Sequence, residues 1–166
     1  VNATIADLQG LVTILDDDVD GDVTIIDVPV AGSAGASVAE AGLASSRAGD
    51  VANESAGSAA GDGSNTTTGT ITYAGADTPL AVMIGGVGNV VNAVQGTVVA
   101  GAYGTLTVTA LTAGSVAYSY TLSDNTSGDA DTDVFTVQVE DADGDDADAV
   151  LTISIVDDMP IARDDT

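Results

Sequence analysis

Apolar and polar residues alternate along much of the chain. Phe135, Val137 and Val139 fall on one face, with Thr136 and Gln138 on the other. Leu151, Ile153 and Ile155 alternate with Thr152 and Ser154, and Tyr118, Tyr120 and Leu122 with Ala117, Ser119 and Thr121. Leu106 and Val108, and Ile71 and Tyr73, sit between threonines in the same way. A period of two marks strands with one buried face. Segments 11–15 and 23–28 are apolar enough to be strands too, and 80–100 reads as two more around Gly85-Gly86 and Gly88-Asn89. No stretch keeps a 3.6-residue period. Eight or so strands joined by Gly, Asp and Asn turns predict an all-β fold, an antiparallel β-sandwich.

Residues 31–68 break the pattern. Ala, Gly and Ser dominate, and the large apolar residues are Val38, Leu43 and Val51. The segment is expected to be a long connection or a flexible lead-in. Its alanines suggest a helix over 38–43, which Gly42 and the nearby serines oppose.

Composition changes the picture through its acid. The 166 residues hold 26 Asp and Glu against two basic residues, Arg47 and Arg163, with no Lys, His or Cys. Nucleic acid and anionic membrane surfaces are poor partners for a net charge of −24. No apolar run approaches the ~20 residues that span a bilayer, so membrane insertion is not expected. Without Cys there are no disulfides or thiolate sites. General-base chemistry reduces to carboxylates. A carboxylate pair can hydrolyse a glycoside, but the one Phe and four Tyr mostly fall at inward strand positions, leaving no sugar platform. The chain is therefore expected not to be an enzyme. It opens at Val1, without Met or the shape of a signal peptide, and reads as a piece of a longer protein.

The acid is clustered at turns, while the outward strand positions are mostly Thr and Ser. This distribution favours ion sites over a general acidic coat. Dense like charges repel one another unless a cation lies among them, and calcium takes about 6–8 oxygen ligands. Asp16, Asp18, Asp20 and Asp22 surround Gly21 as at the start of an EF-hand loop, with Asp27 at its twelfth position, although both flanks read as strands. Asp141, Asp143 and Asp145 share one side of a second turn if it is extended. Asp157 and Asp158 close the following strand beside Pro160, and Asp164 and Asp165 come next. If that strand has about seven residues, the two groups lie ~20 Å apart and hold different ions. The alternative for each cluster is a solvated acidic tip or linker.

The segment from Leu11 to Asp22 echoes that from Phe135 to Asp145. Asp20-Gly21 and Asp143-Gly144 are 123 residues apart, and Pro29 and Pro160 are 131 apart. A tandem repeat of this length is expected, with 1–35 as the closing hairpin of one copy, 36–160 as the next and 161–166 as a linker. Strands in 1–30 would then lack their own sheet. They would pair with a neighbouring molecule or fold back on the main sandwich.

An ordered set of motifs runs through Ala39-Glu40-Ala41-Gly42-Leu43, Ala60-Gly61-Asp62-Gly63-Ser64 and Gly69-Thr70-Ile71-Thr72. It continues through Tyr103-Gly104-Thr105-Leu106, Tyr118-Ser119-Tyr120-Thr121-Leu122-Ser123-Asp124-Asn125, Asp141-Ala142-Asp143-Gly144-Asp145 and Ile155-Val156-Asp157-Asp158-Met159-Pro160. Over about three quarters of the chain this order resembles the extender repeats of giant RTX-type bacterial adhesins exported by type I secretion. The resemblance implies Ig-like or cadherin-like sandwiches in tandem at the bacterial surface, neighbouring repeats as partners, and a role in adhesion and biofilm formation. It implies calcium as cofactor, with Glu40, the Asp141–Asp143–Asp145 turn, and Asp157 and Asp158 with Asp164 and Asp165 as ligands. Residues 80–100 depart from the pattern. A ligand-binding adhesin domain, for sugar or protein, is the alternative.

Overall fold

A computed structural model of the chain describes residues 22–44, 56–76, 78, 80–127 and 130–158. Among the described residues, ten strands run in the order β1 (Thr24–Asp27), β2 (Ser37–Ala39), β3 (Thr66–Ala74), β4 (Ala81–Gly85), β5 (Val90–Asn92), β6 (Val98–Ala100), β7 (Gly104–Thr112), β8 (Ser115–Leu122), β9 (Thr132–Glu140) and β10 (Asp146–Val156). They form two five-stranded sheets, β1-β3-β8-β7-β6 and β2-β10-β9-β4-β5. The expected β-sandwich is therefore observed. The helical element among the described residues is one 3-10 turn, Glu40–Gly42.

The alternating residues become the core. Ile71, Tyr73, Leu106, Val108, Val116, Tyr118, Tyr120 and Leu122 from the first sheet meet Val82, Ile84, Phe135, Val137, Val139, Leu151, Ile153 and Ile155 from the second. β-branched aliphatics suit a pleated, half-buried surface. The Tyr120 and Phe135 rings cross edge to face with centroids 6.0 Å apart, a favoured aromatic geometry.

Three features differ from expectation. First, 80–100 holds three short strands rather than two; β4 and β5 stay in the second sheet, while β6 pairs with β7 in the first. Second, the lead-in contains β2, which runs parallel to β10 with Val38 opposite Ile155. β3 also begins inside the expected connection, at Thr66. The pairing of β2 carries the described start of this Ala- and Ser-rich stretch onto the core, where Val38 and Leu43 are buried.

Third, the expected tail of residues 1–35 contributes a strand to the main sandwich, the fold-back placement rather than a pairing with a neighbouring molecule. β1 is the edge of the first sheet, with Thr24 opposite Ala74 and Ile25 opposite Tyr73. Val23 is buried in the core, and Ile25 and Val28 pack against it. Apolar residues at this spacing need a core, and the edge of β3 supplies their backbone partners. After Pro29 the chain turns through bonds from Ser33 N–H to the Val30 carbonyl and from Gly32 N–H to the Ala36 carbonyl, then enters the other sheet as β2. Segment 11–15 lies outside the described residues.

Candidate metal centre

β9 and β10 pair from Glu140 with Asp146 down to Thr132 with Ser154. The five residues between them form the acidic turn. Asp141 N–H donates to the Asp145 carbonyl (3.0 Å), which closes the turn. Gly144 has φ 101, a left-handed conformation that side chains oppose and glycine allows. This turn folds the Asp141 carboxylate inward, where its Oδ1 accepts from Gly144 N–H (3.1 Å) and Asp145 N–H (2.9 Å).

Asp141, Asp143 and Asp145 thereby each bring one carboxylate oxygen within 4.8 Å of the others. Asp141 is only 6% exposed, and its Oδ2 is buried with no hydrogen-bond partner. Asp143 is pushed up to about 6, first by the hydrogen bond it shares with Asp141, then by desolvation and by the Asp141 charge. Asp141 is held below the usual carboxylate range, first by that same bond and then, against the cost of burial, by backbone N–H groups of the turn. Carboxylates this close repel one another when both are ionised, and a cation among them relieves the repulsion. A hard divalent ion fits a donor set made wholly of oxygens.

The remaining expected ligands are placed differently. Asp16, Asp18, Asp20, Asp164 and Asp165 lie outside the described residues. Asp22 is exposed just before β1. Asp27 is an exposed strand residue opposite Thr72. An EF-hand loop must fold its twelfth residue back onto the ion. Residues Thr24–Asp27 are extended and paired to β3.

Glu40, Asp157 and Asp158 lie toward the opposite end of β10. The parallel pairing sets Ala39 beside Val156, so Glu40 follows at the level of Asp157. Glu40 is buried, and its Oε1 accepts from Thr126 N–H. Asp158 accepts from Ser58 N–H (2.7 Å) and Ser58 Oγ (2.5 Å). Among the described residues these carboxylates do not close into a three-ligand cluster as the Asp141 turn does. Beside them a depression of about 610 Å³ is lined by Asp131, Thr132, Ser154, Val156 and Asp157. β10 has eleven residues rather than seven, so the two acidic ends stand about 33 Å apart at ~3.3 Å per residue. They cannot share an ion.

Sequence reasoning missed Asp133, which is 1% exposed on β9. Its carboxylate accepts from Ala102 N–H (2.6 Å), Tyr103 N–H (3.1 Å), Gly104 N–H (3.0 Å) and the Tyr120 hydroxyl (2.6 Å). Those donors fill the carboxylate and leave it a structural anchor. The signal was present: Asp133 is in phase with Phe135, Val137 and Val139, so it had to point inward.

A shallow depression of about 390 Å³ on the outer face of the second sheet is lined by Met83, Val90, Thr136, Gln138, Asp148 and Val150, with no aromatic side chain. In comparisons with known proteins, no family model matches this chain, and no curated protein matches it.

Proposed function

We propose that this chain is a calcium-binding structural module, an extender repeat of a large secreted bacterial adhesin in which calcium stiffens the string of domains. The observation that carries the reading is the orphaned Asp141 Oδ2, buried beside Asp143 and Asp145. A buried carboxylate oxygen with no donor is costly, and calcium relieves it by taking carboxylate and turn oxygens together. The acid at the other end of β10 supports a second function for the ion, at the joint to a neighbouring repeat.

The adhesin part of the reading draws on the ordered motifs, on the echo between the two acidic hairpins, and on strands that end at acidic poles. The absence of His, Cys and Lys from the sequence favours a mechanical role over catalysis. At free calcium 100-fold above Kd, one site adds about 2.7 kcal/mol to the folded state. That is a large share of the ~5–15 kcal/mol typical of a domain. Thermal melting in calcium and in EGTA tests the proposal. A higher Tm in calcium is expected, and equal values would sink it.

A further inference from the structure

The two sheets differ in what their central strands turn outward. On the first sheet the outward residues of β3 and β8 pair as Thr66 with Thr121, Thr68 with Ser119 and Thr72 with Ser115. The second sheet exposes valines. Val90 lies opposite Gly85, Gly85 opposite Thr136 and Thr136 opposite Val150, a row that crosses β5, β4, β9 and β10. Val134, opposite Thr152, is the diagonal neighbour of Val150 on the same face. Val90, Val134 and Val150 are 64%, 49% and 57% exposed. Single exposed valines are ordinary, but several on one sheet face beside a depression mark an interaction surface.

That depression is the one beside Met83, Gln138 and Asp148. The second depression, beside Thr132, Ser154 and Asp157, lies farther along the same pair of strands, β9 and β10. Val134 and Thr152 stand between the two. The face therefore has valine in its middle and an exposed carboxylate toward each end, Asp148 and Asp157. Nine residues of extended chain separate these two, about 30 Å. The described residues include no basic side chain to answer them, because Arg47 and Arg163 both lie outside.

We infer that this face docks an extended segment of a partner protein, apolar in its middle and carrying Lys or Arg at both ends. The apolar middle covers Val134 and Val150, and the cationic ends reach Asp148 and Asp157. Lys and Arg lay their aliphatic stems on apolar surface while the charged head stays with a carboxylate in water. Charge selects among occupants. A second copy would bring the same acid to the face and be repelled, and a nucleic acid is excluded for the same reason. No aromatic side chain among the described residues lines either depression to stack a sugar ring. Opposite potentials guide encounter and reject wrong partners, while the covered valines hold the complex. This role stands apart from the acidic turn and goes beyond that of a spacer.

The probe is a labelled peptide, Lys-Lys-Val-Thr-Val-Thr-Val-Lys-Lys, and its binding to the full chain is read by fluorescence anisotropy in EGTA at physiological ionic strength. Saturable binding is expected. Val134→Thr combined with Val150→Thr should weaken it several-fold; threonine keeps the shape and strand preference of valine at these exposed positions, so the fold is retained. Asp148→Asn should weaken binding and reduce its salt dependence. Asp27→Asn, exposed on the first sheet, should bind as the parent does. A peptide of the same composition with its lysines in the middle should bind several-fold more weakly. Absent binding, or equal binding by the valine double variant or by the reordered peptide, would overturn the inference. An equal loss in Asp27→Asn and Asp148→Asn would also overturn it, as the mark of unspecific charge attraction. Sedimentation without peptide should give a monomer; a dimer abolished by the valine double variant would assign the face to a second copy instead. Peptide binding without a calcium shift in Tm would remove the metal reading alone, and a calcium shift without peptide binding would remove this inference alone.

Discussion

The Tyr120 hydroxyl donates to the Asp133 carboxylate at 2.6 Å, tying β8 of one sheet to β9 of the other. Burial and the adjacent Asp133 carboxylate push the Tyr120 phenol far above its ordinary pKa, so it remains a donor at every physiological pH. The same carboxylate caps the N–H groups of Ala102, Tyr103 and Gly104, where the chain enters β7.

Replacing Asp133 should therefore unfasten the β6–β7 turn as well as the tyrosine. Asp133→Ala leaves several buried donors without partners and is expected to cost at least ~3 kcal/mol. Asp133→Asn turns an amide N–H toward those donors and should recover only part of the loss. Urea midpoints of the two variants and the parent check this; an unchanged midpoint for Asp133→Ala would refute the anchoring role.

At the acidic turn, Asp141→Asn keeps an oxygen for the N–H groups of Gly144 and Asp145 but removes the charge. The calcium-dependent rise in Tm should shrink strongly or vanish, while the Tm in EGTA changes little. Asp27→Asn, on β1, should leave the calcium response intact. Calorimetric titration separates the two outcomes.

The raised pKa of Asp143 fixes a pH dependence. Its folded value of about 6 exceeds the ordinary 3.8, so between these values the folded state binds the proton more tightly. The stabilisation is fully present below the ordinary pKa and is lost as pH rises through about 6. In EGTA, melting between pH 4 and 7 should show a decline that Asp143→Asn flattens. Calcium should oppose the decline, because the cation takes the place of the proton. Parallel curves for the parent and Asp143→Asn would contradict the raised pKa of Asp143.

A close approach gives a further test. A Cβ at Gly69 would lie 2.4 Å from the Tyr118 hydroxyl oxygen, which donates to the Gly35 carbonyl at 2.9 Å. Burial pushes this tyrosine up to about 12. Gly69→Ala must displace the ring and is expected to cost about 1–3 kcal/mol. Gly69→Ala with Tyr118→Phe should cost less than the sum of the two single changes, because they share one contact.

The long strands were legible because each buries one face. Phe135, Val137 and Val139 and their counterparts on β10 show the two-residue period over enough length to be read. β2, β5 and β6 have three residues each, too few for a period to show. Glu40 was expected as a ligand on resemblance alone. Its place beside Asp157 follows from the parallel pairing of β2 with β10, which no local pattern encodes. The Asp141 turn was readable because Asp at alternate positions around a glycine is a local signal. Its buried oxygen was not, since that depends on how the turn folds over the end of the sheet. Asp27 falls on β1 opposite Thr72, where Ile25 and Val28 join the core, while Asp16, Asp18 and Asp20 lie outside the described residues.

The parallel contact of β2 with β10 sets how the sandwich bears tension. One strand follows the entry of the chain and the other precedes its exit, and they run in the same direction with Ser37, Val38 and Ala39 beside Ser154, Ile155 and Val156. Once β1 has been peeled from β3, tension between β2 and β10 loads these hydrogen bonds sideways and together. They must fail as a group, in shear, whereas an antiparallel pair pulled from one end peels open a bond at a time. A three-residue patch thus acts as a clasp, and its strength under load exceeds what its small area suggests at rest.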